Sequence, residues 1–520
     1  MRWIHPLSAE AEETADILGG KAHGLVVLRR LGLPVPPGFV ISTEACRAFR
    51  RDGRLPDGLD IELATAIADL EAATGRRFGG PERPLAVSVR SGGTVSMPGM
   101  MSTILNLGLT AEAATGLAAE TGDSRFALDS RLRFLSSFAD AIRGVEALTR
   151  QRGGEPIPDD ATRQLELAVA AVFSSWDTPR AKTYRELHDI PHDLGTAVTV
   201  QAMVFGNRDE HSGTGVAFSR DPNTGEHVPF GEVLFGRQGE DVVSGGSPTR
   251  PLRELADREP TVWVGLLEAL DRTERHYRDV CHLEFTFEAG ELSVLQVRPG
   301  GLIGRAAVRV AVELADEGAI GRREALLRVS PQDLQHVRTP RMVTADEADI
   351  LTRGLGACPG VAVGRVATTA DRAARMAAEG PVILVRPQTS PLDLRGLAAA
   401  AGVVTARGGP ASHAAVVARA MGRPAVVGAT DLTVDVLGAS VRAGGRTVPE
   451  GTLITIDGTG GEVVIGSARV VTAENDPHPH RLLEWADEVS GGDPDRDEAE
   501  RLSAAHAVLH GQGTTPRPPN

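Results

Sequence analysis

Short apolar segments with strand character alternate with helical segments along the first 335 residues of this chain. Strands are predicted where β-branched and aromatic residues concentrate, and amphipathic helices between them. The predicted strands are Val35–Ile41, Pro84–Val89, Ala197–Phe205, Gly215–Ser219 and Leu283–Gln296. This alternation places the fold in the α/β (α+β) class. Because 520 residues are too many for one hydrophobic core, we expect about two to four domains.

The pattern changes along the chain and predicts its domain organisation. Residues 1–335 form a first domain with a helical insert over residues 110–195. A proline-containing linker is predicted over residues 336–345. Residues 346–470, with short strands and a terminal hairpin, form a second domain, and residues 471–520 are predicted to be a charged tail.

Composition excludes several classes of protein. Hydrophobic residues make up 41% of the chain, but no apolar run approaches the roughly 20 residues that span a bilayer, and we expect a cytoplasmic protein without membrane partners. A net charge of −14 without a basic cluster argues against nucleic acid as a partner. The cysteines Cys46, Cys281 and Cys358 are too far apart for metal-ligand spacing and are predicted to be buried hydrophobes. A homo-oligomer remains open.

One histidine lies in a setting that suits a carrier of a phosphoryl group. Gly408, Gly409 and Pro410 predict a tight turn, and Ser412 is a suitable N-cap for a helix that begins at His413. In the first turn of a helix the macrodipole disfavours a protonated imidazole and favours a negative group bound to it. His413 is therefore the candidate nucleophile, although a similar turn also occurs where a histidine only packs.

Cations are needed beside such a group, because the helix dipole contributes only about 0.3–1 kcal/mol. Arg407 and Arg419 flank the turn and are candidates for this role. Of the 55 basic residues only Lys21 and Lys182 are lysine. Lys21 follows two glycines, where a compact ammonium can reach a polyphosphate, whereas Lys182 is interpreted as a solvated helix residue.

Many segments together carry a resemblance to one family. They are Leu18–Lys21, Gly32–Phe39, Val87–Gly92, Ser96–Met101, Leu105–Leu109, Gly195–Gln201, Ser212–Val216, Gln238–Val243, Leu295–Arg298 and Gly408–Arg419. In this order, across nearly the whole chain, they resemble the pyruvate phosphate dikinase family, the last being similar to its phosphohistidine motif. The resemblance implies an ATP-grasp-type nucleotide domain followed by a compact swivelling β/α domain that carries the histidine.

The resemblance also implies an activity and a set of site residues. It implies that His413 is catalytic and takes a phosphoryl group from ATP with Mg²⁺, with inorganic phosphate as a candidate second substrate. The implied ATP- and phosphate-binding residues are Lys21, Arg90, Gly99, Gln296 and Arg298. The implied metal ligands are Glu284 and Gln296. Strand alternation independently predicts that Gln296 and Arg298 share one face.

The chain departs from the family pattern at three points. The family usually shows an acid-x-Glu pair before its Phe-Thr strand, but here His282 precedes Glu284, and imidazole is a poor ligand for Mg²⁺. Ala411 stands where plant members carry a regulatory threonine. The segment Trp485–Glu488 resembles the start of a large barrel that binds phosphoenolpyruvate and pyruvate in the family, and little sequence follows it. We therefore expect the acceptor on a separate barrel protein, or an unknown acceptor.

Other functions remain open at this stage. A non-catalytic ATP-binding regulatory or assembly subunit is favoured by His282 and by the missing barrel. A three-part small-molecule phosphotransferase would need an acceptor domain between the two predicted domains, and the linker at 336–345 leaves no room for one. A pyruvate, water dikinase typically has cysteine before the histidine, where this chain has Ser412.

Overall fold

The computed structural model describes residues 2–95, 97, 100–143, 157–239, 249–337, 340–342, 350–409, 412–472, 476–493 and 495–511. The fold is a mixed α/β fold, as predicted from the sequence, and its contacts divide the chain into two compact units. The first unit holds residues up to Ser212 together with Phe285–Arg298, and the second holds Gly213–Glu284 together with residues from Pro299 onward. The predicted boundary at 336–345 stays a prediction.

The helices and strands have the following bounds. The helices are α1 Ala15–Arg30, α2 Thr43–Asp52, α3 Leu59–Thr74, α4 Ala111–Thr121, α5 Ser124–Arg143, α6 Ala161–Ser175, α7 Pro179–Leu187, α8 Glu254–Arg258, α9 Pro260–Tyr277, α10 Gly304–Asp316, α11 Arg322–Arg328, α12 Pro331–Val337, α13 Ala370–Met376, α14 Leu394–Ala399, α15 His413–Ala420, α16 Pro477–Ser490 and α17 Glu498–Gly511. The strands are β1 Ile4–Pro6, β2 Gly38–Ile41, β3 Arg77–Phe78, β4 Pro84–Leu85, β5 Val87–Gly92, β6 Thr103–Leu107, β7 Ala197–Ala202, β8 Gly213–Phe218, β9 Phe230–Phe235, β10 Arg250–Pro251, β11 Cys281–Glu288, β12 Glu291–Pro299, β13 Pro340–Met342, β14 Ile350–Arg353, β15 Leu355–Cys358, β16 Val361–Ala367, β17 Val382–Arg386, β18 Gly402–Thr405, β19 Ala425–Val427, β20 Thr433–Asp435, β21 Ser440–Ala443, β22 Arg446–Pro449, β23 Leu453–Asp457, β24 Glu462–Ile465 and β25 Val470–Thr472.

The first unit is built on a five-stranded antiparallel sheet in the order β1-β2-β7-β5-β6. Helices α2, α3, α5 and α6 cover it with a core that includes Phe134, Phe138 and Phe173. Strands β2, β5 and β7 overlap the predicted strands, although β2 begins at Gly38 and β7 ends at Ala202, and the sequence did not predict β1 and β6. Because β7 lies at the centre of the sheet, its register fixes β2 on one side and β5 on the other.

The second unit is dominated by an eight-stranded mixed sheet in the order β14-β24-β23-β16-β17-β18-β19-β15. Strands β16 to β19 run parallel, and helix α15 is the crossover between β18 and β19. The predicted hairpin is present as β23 and β24. Ala414, Ala415 and Ala418 of α15 pack into an apolar cluster on this sheet. Val417 is partly buried against the same cluster.

The predicted charged tail contains two helices, α16 and α17, within the part of the chain that the structure describes. Leu482, Trp485, Leu502 and Leu509 pack with apolar residues of α10, α11 and α12 in one cluster. Apolar residues are sparse on α16 and α17. Their apolar faces are buried only because α10 to α12 supply apolar residues for them to pack against. Among the described residues, no helix is both long and apolar enough to cross a lipid bilayer.

The three cysteines behave as the sequence predicts. Cys46, Cys281 and Cys358 are free and buried. Burial raises the pKa of Cys46 to about 11 and that of Cys358 to about 12. Their thiols therefore stay protonated at neutral pH and act as small apolar groups.

Candidate functional site

The turn that precedes His413 is shaped by glycine. After β18 the backbone reaches Gly408, whose φ of 104° is disfavoured for other residues. A side chain at Gly409 would begin 1.5 Å from a carboxylate oxygen of Glu232, which is buried within the same unit. Ser412 occupies the N-cap position as predicted, but the prediction that it caps the helix is wrong. Its hydroxyl makes no capping bond, and it is buried without a hydrogen-bond partner among the described residues.

His413 is the first residue of α15, and its ring is positioned by a neighbouring strand end. The side-chain oxygen of Thr389, which follows β17, lies 3.0 Å from Nδ1 of His413. Burial lowers the pKa of His413, while the carboxylate of Asp393 acts in the opposite direction. Asp393 is itself engaged by Arg386 at 3.3 Å and by the backbone amide of Ser390 at 2.9 Å. The imidazole is therefore neutral at physiological pH, with Nδ1 bound and Nε2 as the second ring nitrogen.

Thr389 and Asp393 are site residues that sequence reasoning missed. Both follow β17, and β17 pairs in parallel with β18, whose end leads to the histidine turn. Polar residues at the carboxyl ends of adjacent parallel strands converge on one edge of a sheet. A Thr-Ser-Pro segment two residues after an apolar strand was the available signal.

The two arginines predicted to flank the phosphoryl group differ in their surroundings. Arg407 is exposed. Arg419 is buried, donates from Nη1 to the carbonyl of Ala357 at 2.9 Å, and lies over the ring of Phe218 at 5.8 Å. Burial lowers the pKa of Arg419 to about 10, so its guanidinium remains charged at neutral pH. Arg419 therefore has a packing role whether or not it also contacts a ligand.

In the first unit, three of the predicted phosphate-binding residues lie together. Nη2 of Arg90 lies 3.4 Å from the side-chain amide of Gln296. When the Gln296 amide is oriented with its oxygen toward Arg298, that oxygen accepts from Nη2 of Arg298 at 2.9 Å. Nη1 of Arg90 also donates to the carbonyl of Leu295 at 3.4 Å. The strand-alternation prediction for Gln296 and Arg298 is thus matched by direct contact between their side chains.

Two glycines of α1, Gly19 and Gly20, bring Lys21 close to β5, the strand that carries Arg90. Gly19 interrupts the helical backbone of α1 with φ 75° and ψ 154°. A side chain there would begin 1.9 Å from the carbonyl oxygen of Gly92, and the amide of Gly20 donates to the carbonyl of Gly93 at 3.0 Å. Lys21 consequently packs against Gly92, two residues beyond Arg90. Gly99, the other predicted phosphate-binding residue, lies outside the described residues.

Glu284, the predicted metal ligand, is half-buried on β11. Strand alternation places it on the same face as His282. The imidazole of His282 stacks on the ring of Phe218, with centroids 4.5 Å apart and planes inclined by 7°. His282 thus fills its position as an aromatic packing group rather than as a substitute carboxylate. The pairing of Glu284 with Gln296 as metal ligands stays a prediction.

A second cluster of carboxylates has metal-like spacing but is held by an arginine. The ligand atoms of His227, Glu274 and Glu317 lie within 4.8 Å of one another. The fully buried guanidinium of Arg220 donates to Glu274 at 2.8 Å and to Glu317 at 2.8 Å. It also donates to Glu313 at 2.9 Å. Because Arg220 already neutralises these carboxylates, the cluster is an ion-pair network that joins the segment after β8 to α9 and to the C-terminal end of α10.

Comparison with known proteins finds two regions of the chain that match described families. Residues 51–262 match the family profile "pyruvate phosphate dikinase, AMP/ATP-binding domain", and residues 378–461 match "PEP-utilising enzyme, mobile domain". The chain is 41% identical to pyruvate, phosphate dikinase of Rhizobium meliloti (strain 1021) over 540 residues, which cover 94% of this chain and 60% of that relative. It is 41% identical to pyruvate, phosphate dikinase 2 of Zea mays, covering 91% and 58%, and 39% identical to the Clostridium symbiosum enzyme, covering 94% and 60%. The chain therefore spans about 60% of the length of these relatives.

Proposed function

The chain belongs to the pyruvate phosphate dikinase family in its nucleotide-binding and mobile domains, and from that premise we propose that it transfers a phosphoryl group from ATP to His413. The observation that carries the proposal is the geometry of His413 itself. A neutral imidazole has a nucleophilic lone pair, and the Thr389 oxygen at 3.0 Å engages Nδ1. If Nδ1–H donates to that oxygen, the lone pair is on Nε2, which becomes the attacking atom.

The helix that begins at His413 supports the phosphorylated state. Its first amides and its dipole favour a negative group at the N-terminus, by about 0.3–1 kcal/mol. Arg407, exposed at the turn, supplies a nearby positive charge. These groups act after transfer, when the ring carries the phosphoryl group, and the lowered pKa acts before transfer, when the ring must be unprotonated.

On the nucleotide side, we assign the phosphates of ATP to Lys21, Arg90 and Arg298, in a domain of ATP-grasp type. Two guanidinium groups on either side of one neutral amide form a fixed positive environment that suits a polyphosphate. Gly99 is assigned to the same site by the family resemblance alone.

We assign Mg²⁺ to Glu284 and Gln296. A carboxylate and a carboxamide provide the hard oxygen ligands that this ion prefers, and the stacked His282 is not needed as a ligand. When bound, the ion neutralises charge that develops on the ATP phosphates.

The proposed reaction is written in two balanced steps. Nε2 of His413 attacks the β-phosphorus of ATP, the bond to the α-phosphate oxygen breaks, and AMP leaves. Inorganic phosphate then takes the γ-phosphoryl group as pyrophosphate, so that the β-phosphoryl group stays on the histidine. The domain that carries His413 is proposed to swivel between ATP and the acceptor. We propose that the acceptor, pyruvate or another molecule, is bound by a separate polypeptide.

Intact-protein mass spectrometry after incubation with Mg-ATP tests this proposal. Wild-type protein should gain an acid-labile phosphoryl or pyrophosphoryl group, with the balance shifted toward phosphoryl by added inorganic phosphate. His413→Ala should abolish the adduct while ATP still binds. His480→Ala, which removes an exposed histidine of α16, is the matched control and should label normally. An adduct that persists in His413→Ala would contradict the proposal.

A non-catalytic ATP-binding subunit is the second candidate, because His282 occupies the position where the family usually has an acid. In that case wild-type protein binds ATP but forms no adduct. His282→Asp then distinguishes an impaired site from one without a catalytic role. Labelling that appears in His282→Asp would show that one missing carboxylate limits turnover, whereas continued absence would favour the regulatory function.

A further inference from the structure

A fully buried arginine lies near the glycine-rich segment that follows β5 in the first unit. This residue, Arg185, is in the last turn of α7. Its guanidinium stands over the indole ring of Trp176, 4.2 Å from the ring centroid, and donates from Nη1 to the carbonyl of Trp176 at 2.8 Å. Nε of Arg185 donates to Nδ1 of His192 at 3.1 Å. The guanidinium thus joins two residues that are far apart in sequence.

The three residues close a ring of hydrogen bonds. The indole N–H of Trp176 donates to the carbonyl of His192 at 3.0 Å, so each of Trp176, Arg185 and His192 is bonded to the other two. We call these three residues the support cluster. Because moving one of them breaks two bonds, the cluster fixes the corner between α6 and α7 to the segment that precedes β7.

The burial of Arg185 is costly to the fold. Burial lowers the pKa of Arg185, and Asp177, whose charge opposes this shift, is engaged by Arg50 at 2.7 Å. Nη2 of Arg185 is buried and has no hydrogen-bond partner among the residues that the structure describes. An unpaired buried donor costs about 1–3 kcal/mol, which an apolar side chain of similar size would avoid. A cation kept at this cost indicates a role beyond packing.

The support cluster also holds the glycine-rich segment after β5. A side chain at Gly93 would begin 3.6 Å from the ring of Trp176, so the backbone there lies against the indole. Met97 and Met100 pack in the same apolar cluster as Trp176. Arg180, also on α7, donates from Nη2 to the carbonyl of Met100 at 3.2 Å. The described part of this segment therefore depends on Trp176 and α7 for its position.

The same segment begins beside two residues that we assigned to the phosphates of ATP. The carbonyl of Gly93 accepts from the amide of Gly20 at 3.0 Å, and Lys21 lies against Gly92. Arg90 precedes these glycines on β5. A shift of the backbone at Gly93 would consequently move Lys21 relative to Arg90.

We propose that Arg185 is a positioning residue for the phosphates of ATP, because it holds Trp176 against Gly93 and thereby fixes Lys21 beside β5. This role rests on the proposed assignment of ATP to the first unit. Arg185 is fully buried and acts on the nucleotide only through the backbone that it holds in place. Such preorganisation lowers the free-energy cost of binding, so its loss should weaken ATP affinity rather than slow transfer from bound ATP.

Titration calorimetry of the full chain with ATP tests this role. Arg185→Met keeps the length of the side chain and removes its hydrogen bonds, and it should weaken ATP binding about tenfold. Labelling of His413 at saturating ATP should be unchanged, a split that general unfolding would not produce. Arg125→Met, at an exposed arginine of α5, is the matched control and should bind ATP as wild type does. Unchanged ATP affinity in Arg185→Met would overturn the proposal.

Variants of His192 test the same role without changing the buried residue. Because His192 is exposed, its replacement leaves no cavity. His192→Leu removes the acceptor for Nε of Arg185 and should weaken ATP binding about threefold, whereas His192→Asn keeps an acceptor oxygen and should bind ATP as wild type does. The double variant Arg185→Met/His192→Leu should be no weaker than Arg185→Met alone. Equal ATP affinity of His192→Leu and His192→Asn would overturn the role of the cluster.

The outcomes separate this role from the proposed phosphoryl transfer. If wild-type protein binds ATP but forms no adduct, the transfer to His413 is contradicted, while weaker ATP binding by Arg185→Met still supports the positioning role. If wild-type protein forms the adduct and Arg185→Met binds ATP equally well, only the positioning role is overturned. Absence of ATP binding by wild-type protein would contradict both.

Discussion

His413 and Arg298 both present nitrogen atoms assigned to phosphate chemistry, yet their surroundings differ in kind. His413 is kept neutral by burial, with one ring nitrogen engaged by Thr389. Arg298 contacts the amide of Gln296, and a second guanidinium, that of Arg90, lies 3.4 Å from the same amide. A nucleophile needs an available lone pair, whereas a polyphosphate needs fixed positive charge. The comparison shows that the two halves of one proposed reaction depend on different forces, burial in one region and charge placement in the other.

This difference can be tested with two phosphoryl donors. ATP needs both regions, whereas phosphoramidate, a small chemical donor for histidine, needs only an accessible and neutral His413. Each variant can therefore be assayed with both donors. A variant that loses labelling only with ATP is affected in the cationic region. A variant that loses labelling with both donors is affected at the carrier site.

After the complete loss expected for His413→Ala, the largest effect is expected for Arg298→Ala. Labelling from ATP should fall by about 10²-fold, because a preorganised cation at the phosphates is removed. Labelling from phosphoramidate should be unchanged. Arg125→Ala, at an exposed arginine, is the control. Equal loss with both donors would show that Arg298 supports the fold rather than the nucleotide.

Gly19→Ala should have the next largest effect on ATP binding. The new side chain would overlap the backbone carbonyl of Gly92, and the φ of 75° is unfavourable for alanine. We expect about 2 kcal/mol lower stability by thermal unfolding and about tenfold weaker ATP binding, because Lys21 is displaced. Gly53→Ala has a similar φ of 70° but open space around it, and it should keep ATP affinity. Unaltered ATP binding in Gly19→Ala would separate Lys21 from the nucleotide site.

Thr389→Val should lower labelling by about three- to tenfold with both donors. The substitution keeps the shape but removes the partner of Nδ1, so the tautomer with Nε2 free is no longer favoured. A ¹⁵N–¹H correlation spectrum of the His413 ring reports the tautomer directly. Thr389→Ser retains the hydroxyl and should retain most activity. A change with ATP alone would not fit a role in orienting the ring.

The smallest effect concerns pH. Because burial lowers the pKa of His413 from its ordinary value of 6.5, the folded ring stays neutral at a pH where a reference peptide is already protonated. Labelling should therefore hold as the pH falls through 6.5 and decline only below it. The unfolded chain binds the proton first, so the contribution of this residue to stability decreases as the pH falls from 6.5 through the folded pKa. An NMR titration giving a pKa at or above 6.5 would contradict this.

Sequence reasoning located most elements but not all of their partners. Strand periodicity placed β5, β7 and the β23–β24 hairpin, because alternation and turn residues are local signals. It failed for α16 and α17, whose apolar faces are defined only by the helices they cover. It also gave Ser412 a capping bond that the turn does not form.

The sequence by itself determined the α/β class and the resemblance to one family, and it predicted the carrier histidine and the cationic residues. It did so because motif spacing and residue type can be read from neighbouring positions of the chain. Only the tertiary structure decided that Thr389 engages His413, that Gln296 lies between two arginines, and that His282 stacks on Phe218. Each of these arrangements includes residues from at least two elements, and its free energy depends on burial and distance, which a linear pattern does not contain.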